Sequence, residues 1–256
     1  MSPTREGTWQ MSEKTLKSYA VWDAPTRIFH WVNFISVIAL IFFGFLILYR
    51  KEMSITGGDA KVVLKTVHTW VGYVLVASLT GRLLWGFAGN AHARWRAVLP
   101  SKRSLAALSS DISAFRRGDP LKYAGRGPMG RLSVSFMFLL LLILSATGLI
   151  RAGTDLYYPP FGGVIASYVA QPGVNPSLIK PRDTSLVVRE KYDFVQKLTP
   201  PIGKIHIFTS WALLAMIGLH IASVVLKDMK QGGAIISAMF TGRKVLGRPP
   251  VDGDES

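Results

Sequence analysis

The chain has 256 residues, of which 49% are hydrophobic, and its mean hydropathy is +0.30. Lys and Arg number 30 against 15 Asp and Glu, which gives a net charge of +15 at pH 7. The basic residues are spread over several loops between apolar stretches, so they indicate membrane topology and anionic lipid, and no nucleic acid partner is expected. Cysteine is absent, which excludes disulfides, thiolate-ligated clusters and covalent haem attachment.

Four apolar stretches are long enough to cross a bilayer. Residues 31–49, 132–150 and 205–226 carry no charge, and residues 66–89 are interrupted only by Arg82. About 20 apolar residues in a helix span the hydrocarbon core. We therefore predict an all-α membrane protein, a four-transmembrane-helix bundle in the lipid bilayer with a periplasmic cap between helices 3 and 4. The predicted spans are 29–50, 64–88, 131–151 and 203–227.

The charges of the connecting segments predict the orientation of this bundle. The second connection, residues 87–130, has eight Lys or Arg against two acids, whereas the first, residues 50–65, has four against two. Positive charge is enriched on the cytoplasmic side of membrane proteins. Both termini are therefore predicted to be cytoplasmic.

The segments between the spans have patterns of their own. Apolar residues recur at steps of three and four across 102–117, which predicts an amphipathic helix that lies on the cytoplasmic membrane surface or packs on the spans. Residues 152–202 contain several prolines and no strong periodicity, and we interpret them as the periplasmic cap. A single domain over 1–250 and a disordered acidic tail over 251–256 complete the predicted organisation.

Four histidines form a pattern within the predicted spans. His206 and His220 are 14 residues apart, so they share one helix face and lie about 21 Å apart along the axis. His30 and His68 lie near the starts of the first two stretches. Since successive spans alternate in direction, His30 is predicted at the depth of His220, and His68 at that of His206. A lone histidine at a helix end is as often a plain interfacial residue, but two depth-matched pairs favour two haems with two axial imidazoles each.

Small and basic residues near these histidines fit the same interpretation. Gly44 and Gly72 would let a flat macrocycle approach the backbone, although glycine also serves helix packing in membranes. Arg82 lies 14 residues after His68, where it could neutralise propionates of the inner haem or snorkel to the interface. Lys65 and Lys204 are candidates for the outer propionates.

Several motifs occur in order along the chain: VWDAPTRIFHW at 21–31, HTWVG at 68–72 with GRLLWG at 81–86, the turn at 123–130, the 205–206 and 219–220 pairs, and AMFTGRK at 238–244. Together they resemble the bacterial cytochrome b561 family, which includes the b-type cytochrome subunits of nickel-iron hydrogenases. The resemblance covers roughly residues 19–246 apart from the cap. It implies an inner-membrane electron carrier with two non-covalent b-type haems, whose axial ligands are the four histidines of the spans.

The family also suggests a quinone pocket beside one haem. Trp22, Asp23, Arg27 and Trp31 surround the first histidine and are the candidate quinone site, with aromatic walls and a proton relay. An interfacial aromatic belt explains the tryptophans equally well.

The predicted function is electron transfer between a periplasmic redox partner and the quinone pool. A c-type cytochrome and a hydrogenase-like enzyme are both candidates for that partner. A stand-alone oxidoreductase, such as a superoxide:quinone oxidoreductase, is an alternative that a basic funnel of Lys61, Lys65 and Lys204 would favour. A transporter or non-haem metal protein that uses the histidines is an alternative of another class. No catalytic residue is predicted.

Overall fold

A computed structural model describes residues 16–231 and 233–252 of the chain. Long helices dominate it, and two short strands join the regions near the two termini. The elements in chain order are β1 (Lys17–Ala20), α1 (Ala24–Leu48), α2 (Gly58–Ala88), α3 (Trp95–Val98), α4 (Lys102–Ala106), α5 (Leu108–Arg116), α6 (Pro128–Leu156), α7 (Gly162–Val169), a 3-10 turn (Pro176–Leu178), α8 (Arg189–Gln231), α9 (Ala234–Thr241) and β2 (Arg243–Leu246).

Within the described residues, α1, α2, α6 and α8 are the four helices long and apolar enough to cross a membrane. The prediction of a four-span membrane bundle is confirmed. Each helix also extends beyond its apolar stretch; α8 begins at Arg189, 14 residues before the predicted span. Large apolar side chains are exposed around these helices, as a hydrocarbon solvent requires. Among them are Phe42, Trp70, Leu84, Leu139 and Phe208.

The four helices pack mainly as two pairs, α1 against α2 and α6 against α8. Their directions alternate along the chain. One end of the bundle, which we call the termini end, holds β1 and β2, and the other, the cap end, holds the segment between α6 and α8. A cluster of buried leucines forms the core between these ends: Leu75, Leu79, Leu140, Leu141 and Leu213.

The termini end is closed by the two strands, which the sequence analysis did not predict. β1 and β2 pair in antiparallel register, with Tyr19 opposite Lys244. The strands, α9 and the start of α1 pack together around buried Val21 and Ala238. Residues before α1 and after α8 are therefore fixed to each other at one end of the bundle.

The predicted amphipathic helix at 102–117 is divided in two. α4 begins at a capping box formed by Ser101 and Ser104, and Ala107 separates it from α5. Asp111 of α5 is buried and lies 3.5 Å from the Lys227 ammonium of α8. The segment thus packs against the spans, which was one of its two predicted placements.

The cap, defined here as residues 157–188, is smaller than the predicted 152–202 because α6 and α8 extend into that range. Its core consists of α7 packed on the first turns of α8, with Val169, Val187 and Val195 buried. An isolated bridge joins Ala170 to Val187. The cap is therefore an ordered unit with apolar packing of its own.

The acidic tail differs from its predicted disorder at its first two residues. The Val251 amide donates to the carbonyl of Lys122. The Asp252 carboxylate accepts hydrogen bonds from the amides of Ala124 and Gly125 at 2.6 and 3.0 Å. These bonds fix the segment because they satisfy backbone donors of a Gly-rich turn. Residues 253–256 lie outside the described residues.

Candidate functional site

His68 and His206 face each other at the cap end. They come from α2 and α8, their ring centres are 6.3 Å apart, and the ring planes cross at 70°. An imidazole nitrogen binds a metal ion at about 2 Å, so two imidazoles on opposite sides of one ion have ring centres roughly 6 Å apart. The observed separation fits a single metal ion held between the two rings.

A cavity of about 500 Å³ surrounds this pair and is lined mainly by apolar side chains of the four long helices. Gly44 and Gly72, both predicted to give a macrocycle access, line it. A Cβ atom at Gly44 would stand 3.7 Å from His68 Cε1, and one at Gly148 would stand 3.4 Å from His206 Cε1. The glycines therefore keep space open beside both rings, which is what a flat macrocycle needs.

Charged residues line the cap-end rim of this cavity. The Asp155 carboxylate accepts hydrogen bonds from Lys65 at 2.5 Å and from Arg151 at 3.0 Å. Lys65 lines the same cavity as His68 and His206, and its role toward a propionate stays a prediction. Lys204 lines an adjoining cavity of about 460 Å³, together with Lys61 and other residues shared by both cavities.

His30 and His220 form a second pair at the termini end, where α1 begins and α8 approaches its end. The charge of His220 would act on His30, and that of Arg126 would act on both histidines. His220 lies 14 residues after His206, so the two pairs are about 21 Å apart along α8. Leu213 lies midway between them and belongs to the leucine core.

Two arginines lie at the termini end of the bundle. Arg82 is only 4% exposed, so it is buried rather than snorkelling. Its Nη2 donates to the carbonyl of Ala93, and its Nη1 has no hydrogen-bond partner among the described residues. Arg126 lies on the Trp22 ring at 4.4 Å and donates to the carbonyl of His92. Burial and, to a smaller extent, the charges of Arg82 and Arg131 together lower the pKa of Arg126 to about 9.

Trp22 and Asp23, two of the candidate quinone residues, are already engaged in structural contacts. Trp22 is buried, and its ring meets the half-buried ring of His92 edge-on at 6.3 Å. Asp23 caps α1 by accepting from the Thr26 amide, and its second oxygen accepts from the Trp85 indole at 3.0 Å. Burial alone would raise the pKa of Asp23, but these hydrogen bonds outweigh it and lower the pKa.

Arg27 and Trp31, the other two candidates, attach α1 to α9. Arg27 donates to the carbonyl of Phe240, and the Trp31 indole donates to the carbonyl of Met239 at 3.2 Å. The Trp31 ring meets the His30 ring edge-on at 5.4 Å. Asp23, Arg27 and Trp31 each make hydrogen bonds to protein, whereas Arg27 Nε is buried without a partner among the described residues. Neither of the two cavities described above contains any of them.

Several residues of the two sites were missed by the sequence analysis. Thr147 lies 2.8 Å from His206, and Gly148 faces the same ring. Arg151 and Asp155 lie on the last turns of α6, and Arg126 lies in the turn before that helix. All five are within or beside α6, a helix without any histidine, so nothing in its own sequence marked it as part of a site.

The fold and the sites define a multi-pass membrane protein with paired intramembrane histidines. The chain belongs to the prokaryotic cytochrome b561 family, whose model matches residues 21–242. The resemblance found in the sequence is confirmed. Membership implies b-type haem and electron transport in a bacterial membrane, and the histidine pairs, glycines and cavity fit such a group.

The chain is similar to several proteins named as probable Ni/Fe-hydrogenase B-type cytochrome subunits. The protein from Rhizobium leguminosarum bv. viciae is 26% identical over 245 residues, 90% of each chain. That from Rhodobacter capsulatus is 26% identical over 95% of this chain and 87% of its own length. That from Azotobacter vinelandii is 31% identical over 53% of this chain and 61% of its own. No solved structure matches the chain.

Proposed function

We propose that this chain binds two b-type haems and carries electrons across the bacterial inner membrane between a periplasmic redox partner and the quinone pool. His68 and His206 would be the axial ligands at the cap end, and His30 and His220 those at the termini end. The observation that carries the proposal is the pair of histidine sites stacked along α8, with ring centres 6.3 Å apart in the first.

The basic residues of each site would bind the propionates. At the cap end, Lys65 and Arg151 already share one carboxylate, and Lys204 lies in the adjoining cavity. At the termini end, the charge of Arg126 acts on both histidines, and the charge of Arg82 acts on Arg126. Two positive charges close together in a medium of low dielectric raise the free energy of the protein unless an anion lies between them. The two propionate carboxylates of a haem would supply such anions.

A haem iron with two axial imidazoles has no open coordination position, so it supplies outer-sphere transfer of single electrons. The chain would hold the two sites at fixed separation on one rigid helix and would exclude water from the leucine core between them. A hydrogenase-like enzyme is the partner that the names of the relatives favour. A c-type cytochrome is the second candidate for the same position.

Quinone binding at the termini end remains part of this proposal. Trp22, Asp23, Arg27 and Trp31 are retained as its candidate residues because they precede and flank His30 in the sequence. A quinone there would bind the unpartnered Nε atom of Arg27 or displace one of the hydrogen bonds that Asp23, Arg27 and Trp31 make to the protein.

The alternative function is a stand-alone oxidoreductase that accepts electrons from a small anion such as superoxide. The second cavity favours it, because Lys61, Lys65, Arg151, Arg182 and Lys204 line it against the single carboxylate of Asp155. Such a surplus of positive charge would steer anions toward the cap-end site. Reduction of the purified protein by superoxide at a diffusion-limited rate would favour this alternative over a protein partner.

Haem quantitation tests the main proposal. We expect two b-type haems per purified chain and a sharp absorption spectrum on reduction. His68→Ala and His206→Ala should each lose one haem, and His30→Ala and His220→Ala should lose the other. His92→Ala is the matched control and should keep both. Retention of two haems in any of the four ligand variants, or a spectrum without haem, would disprove the assignment; the second result would leave the transporter or non-haem metal alternative.

A further inference from the structure

Thr147 on α6 contacts His206 in a way that determines which nitrogen of the ring carries the proton. The Thr147 Oγ1 atom lies 2.8 Å from His206 Nδ1 and 2.7 Å from the Ile143 carbonyl oxygen. Two oxygen atoms 2.7 Å apart require a hydrogen between them, and a hydroxyl has only one. The hydroxyl therefore donates to Ile143 and accepts from His206, so Nδ1 bears the proton.

This tautomer leaves the Nε2 lone pair of His206 free. Nε2 is then the atom that can bind a metal ion, and the imidazole cannot rotate without breaking its hydrogen bond. Thr147 is only 9% exposed, so water does not compete readily for this bond. The neighbouring Gly148 leaves space beside the same ring.

The contact distinguishes His206 from two of the other histidines. Within the described residues, the Nδ1 atoms of His30 and His68 are buried and have no hydrogen-bond partner. A hydrogen bond to the outer nitrogen makes an imidazole ligand more basic, which stabilises the more positive, oxidised state of a bound iron. The effect of Thr147 would therefore fall on the cap-end site alone.

We infer that Thr147 is a positioning residue that fixes the tautomer of His206 and lowers the reduction potential of the cap-end haem. This inference rests on the proposed function, because it requires His206 to be an axial ligand. Thr147, on a helix without histidines, would then be one of the residues that determine the direction of electron flow.

Redox titration of the full-length, haem-loaded protein tests the inference. Thr147→Val keeps the shape of the side chain and removes the hydroxyl. We expect one of the two midpoint potentials to become more positive by about 59 mV, which corresponds to a tenfold change in the equilibrium constant of a one-electron reduction. The second potential should stay unchanged, and Thr147→Ser should restore the first. The control is Thr209→Val. Thr209 is also buried and lies about one turn after His206, but it does not line the cavity, so both potentials should stay unchanged.

Each outcome separates this inference from the proposed function. Unchanged potentials in Thr147→Val, together with loss of one haem in His206→Ala, would overturn the inference and leave the proposed function intact. Two haems in His206→Ala would overturn both. If the valine variant loses the haem, Thr147→Ala removes the hydroxyl without adding bulk, and the same positive shift of the midpoint potential is expected. An unchanged potential in Thr147→Ala would overturn the inference. So would a Thr147→Ser variant whose potential is the same as that of Thr147→Val.

Discussion

Arg82 and Arg126 bring two guanidinium groups together at the termini end of the bundle. Arg82 is buried with one nitrogen lacking a partner among the described residues, and Arg126 lies on the Trp22 ring. Arg126 is also near enough to affect both His30 and His220. An anionic group bound between these arginines would satisfy them, so they should control the properties of that site rather than only its folding.

Replacing Arg126 should therefore change the termini-end haem selectively. In Arg126→Met, we expect affinity for one haem to fall about tenfold or more, as for other residues that support metal ligands. The midpoint potential of the same haem should become more negative, because a positive charge that favours the reduced state is lost. Haem titration and optical redox titration measure the two effects.

Arg94→Met is a matched control for this change, since Arg94 is exposed and bonds to the Gly89 carbonyl. It should match the unsubstituted chain in haem affinity and in both potentials. Equal behaviour of Arg126→Met and Arg94→Met would show that Arg126 has no part in the site.

The sequence predicted those parts of the site that follow from residue spacing and from the alternating direction of the spans. His206 and His220 could be assigned to one face of α8 because 14 residues return a helix to nearly the same face, and His68 and His30 could be matched to them by depth. Thr147 and Arg126 could not be found in this way, since their relation to the histidines depends on how α6 packs against α8. Their own neighbourhoods, an apolar helix and a Gly-rich turn, contain nothing typical of a ligand site.

At the scale of elements, the cap differs from the remainder of the chain because it has a hydrophobic core separate from that of the bundle. Val169, Val187 and Val195 form a core apart from the leucine core of the bundle. The cap also contacts α2, where the Tyr73 hydroxyl donates to the Pro159 carbonyl at 2.5 Å. It is therefore an ordered surface directly above the cap-end cavity.

Replacing residues 160–187 with a short Gly/Ser linker tests whether the cap binds the redox partner. The segment ends before α8 and leaves Asp155 and Leu156, which line the cavity, in place. We expect reduction by the physiological partner to slow at least tenfold while both haems stay bound, because loops tolerate replacement better than packed helices. Stopped-flow spectroscopy measures the rate, and reduction by dithionite is the control.

Two other outcomes of that experiment have distinct meanings. Loss of one haem would show that the cap is a structural lid over His68 and His206. An unchanged rate with the partner would rule out the cap as its docking surface.

The short elements show what the sequence could not predict. β1 and β2 have four residues each and pair across more than 220 residues of chain, a contact that no local pattern encodes. The division of the 102–117 helix at Ala107 is likewise not encoded in its apolar periodicity, and its second half, α5, contacts α8 through Asp111 and Lys227. The four long helices were predictable because hydrocarbon allows only one solution for an isolated apolar stretch, a helix that satisfies its own backbone.

At the scale of the whole molecule, the electron route depends on which end of the bundle faces the cytoplasm. The connection after α2, which contains α3, α4 and α5, has eight Lys or Arg against two acids. The connection after α1 has four against two, and from this difference the positive-inside rule predicts that the termini end is cytoplasmic. The cap and the cation-lined cavity would then face the periplasm, where a partner protein could reach them.

The absence of native cysteine makes this orientation directly measurable. Ser177 in the cap and Ser109 on α5 are both exposed and lie at opposite ends of the bundle, so single Ser→Cys substitutions change little besides reactivity. In cells whose outer membrane has been made permeable, a membrane-impermeant maleimide should label Ser177→Cys at once and Ser109→Cys only after lysis of the inner membrane. Labelling in the reverse order would place the cap in the cytoplasm and would exclude a periplasmic partner at that surface. The unsubstituted chain, which has no thiol, is the control for background reaction.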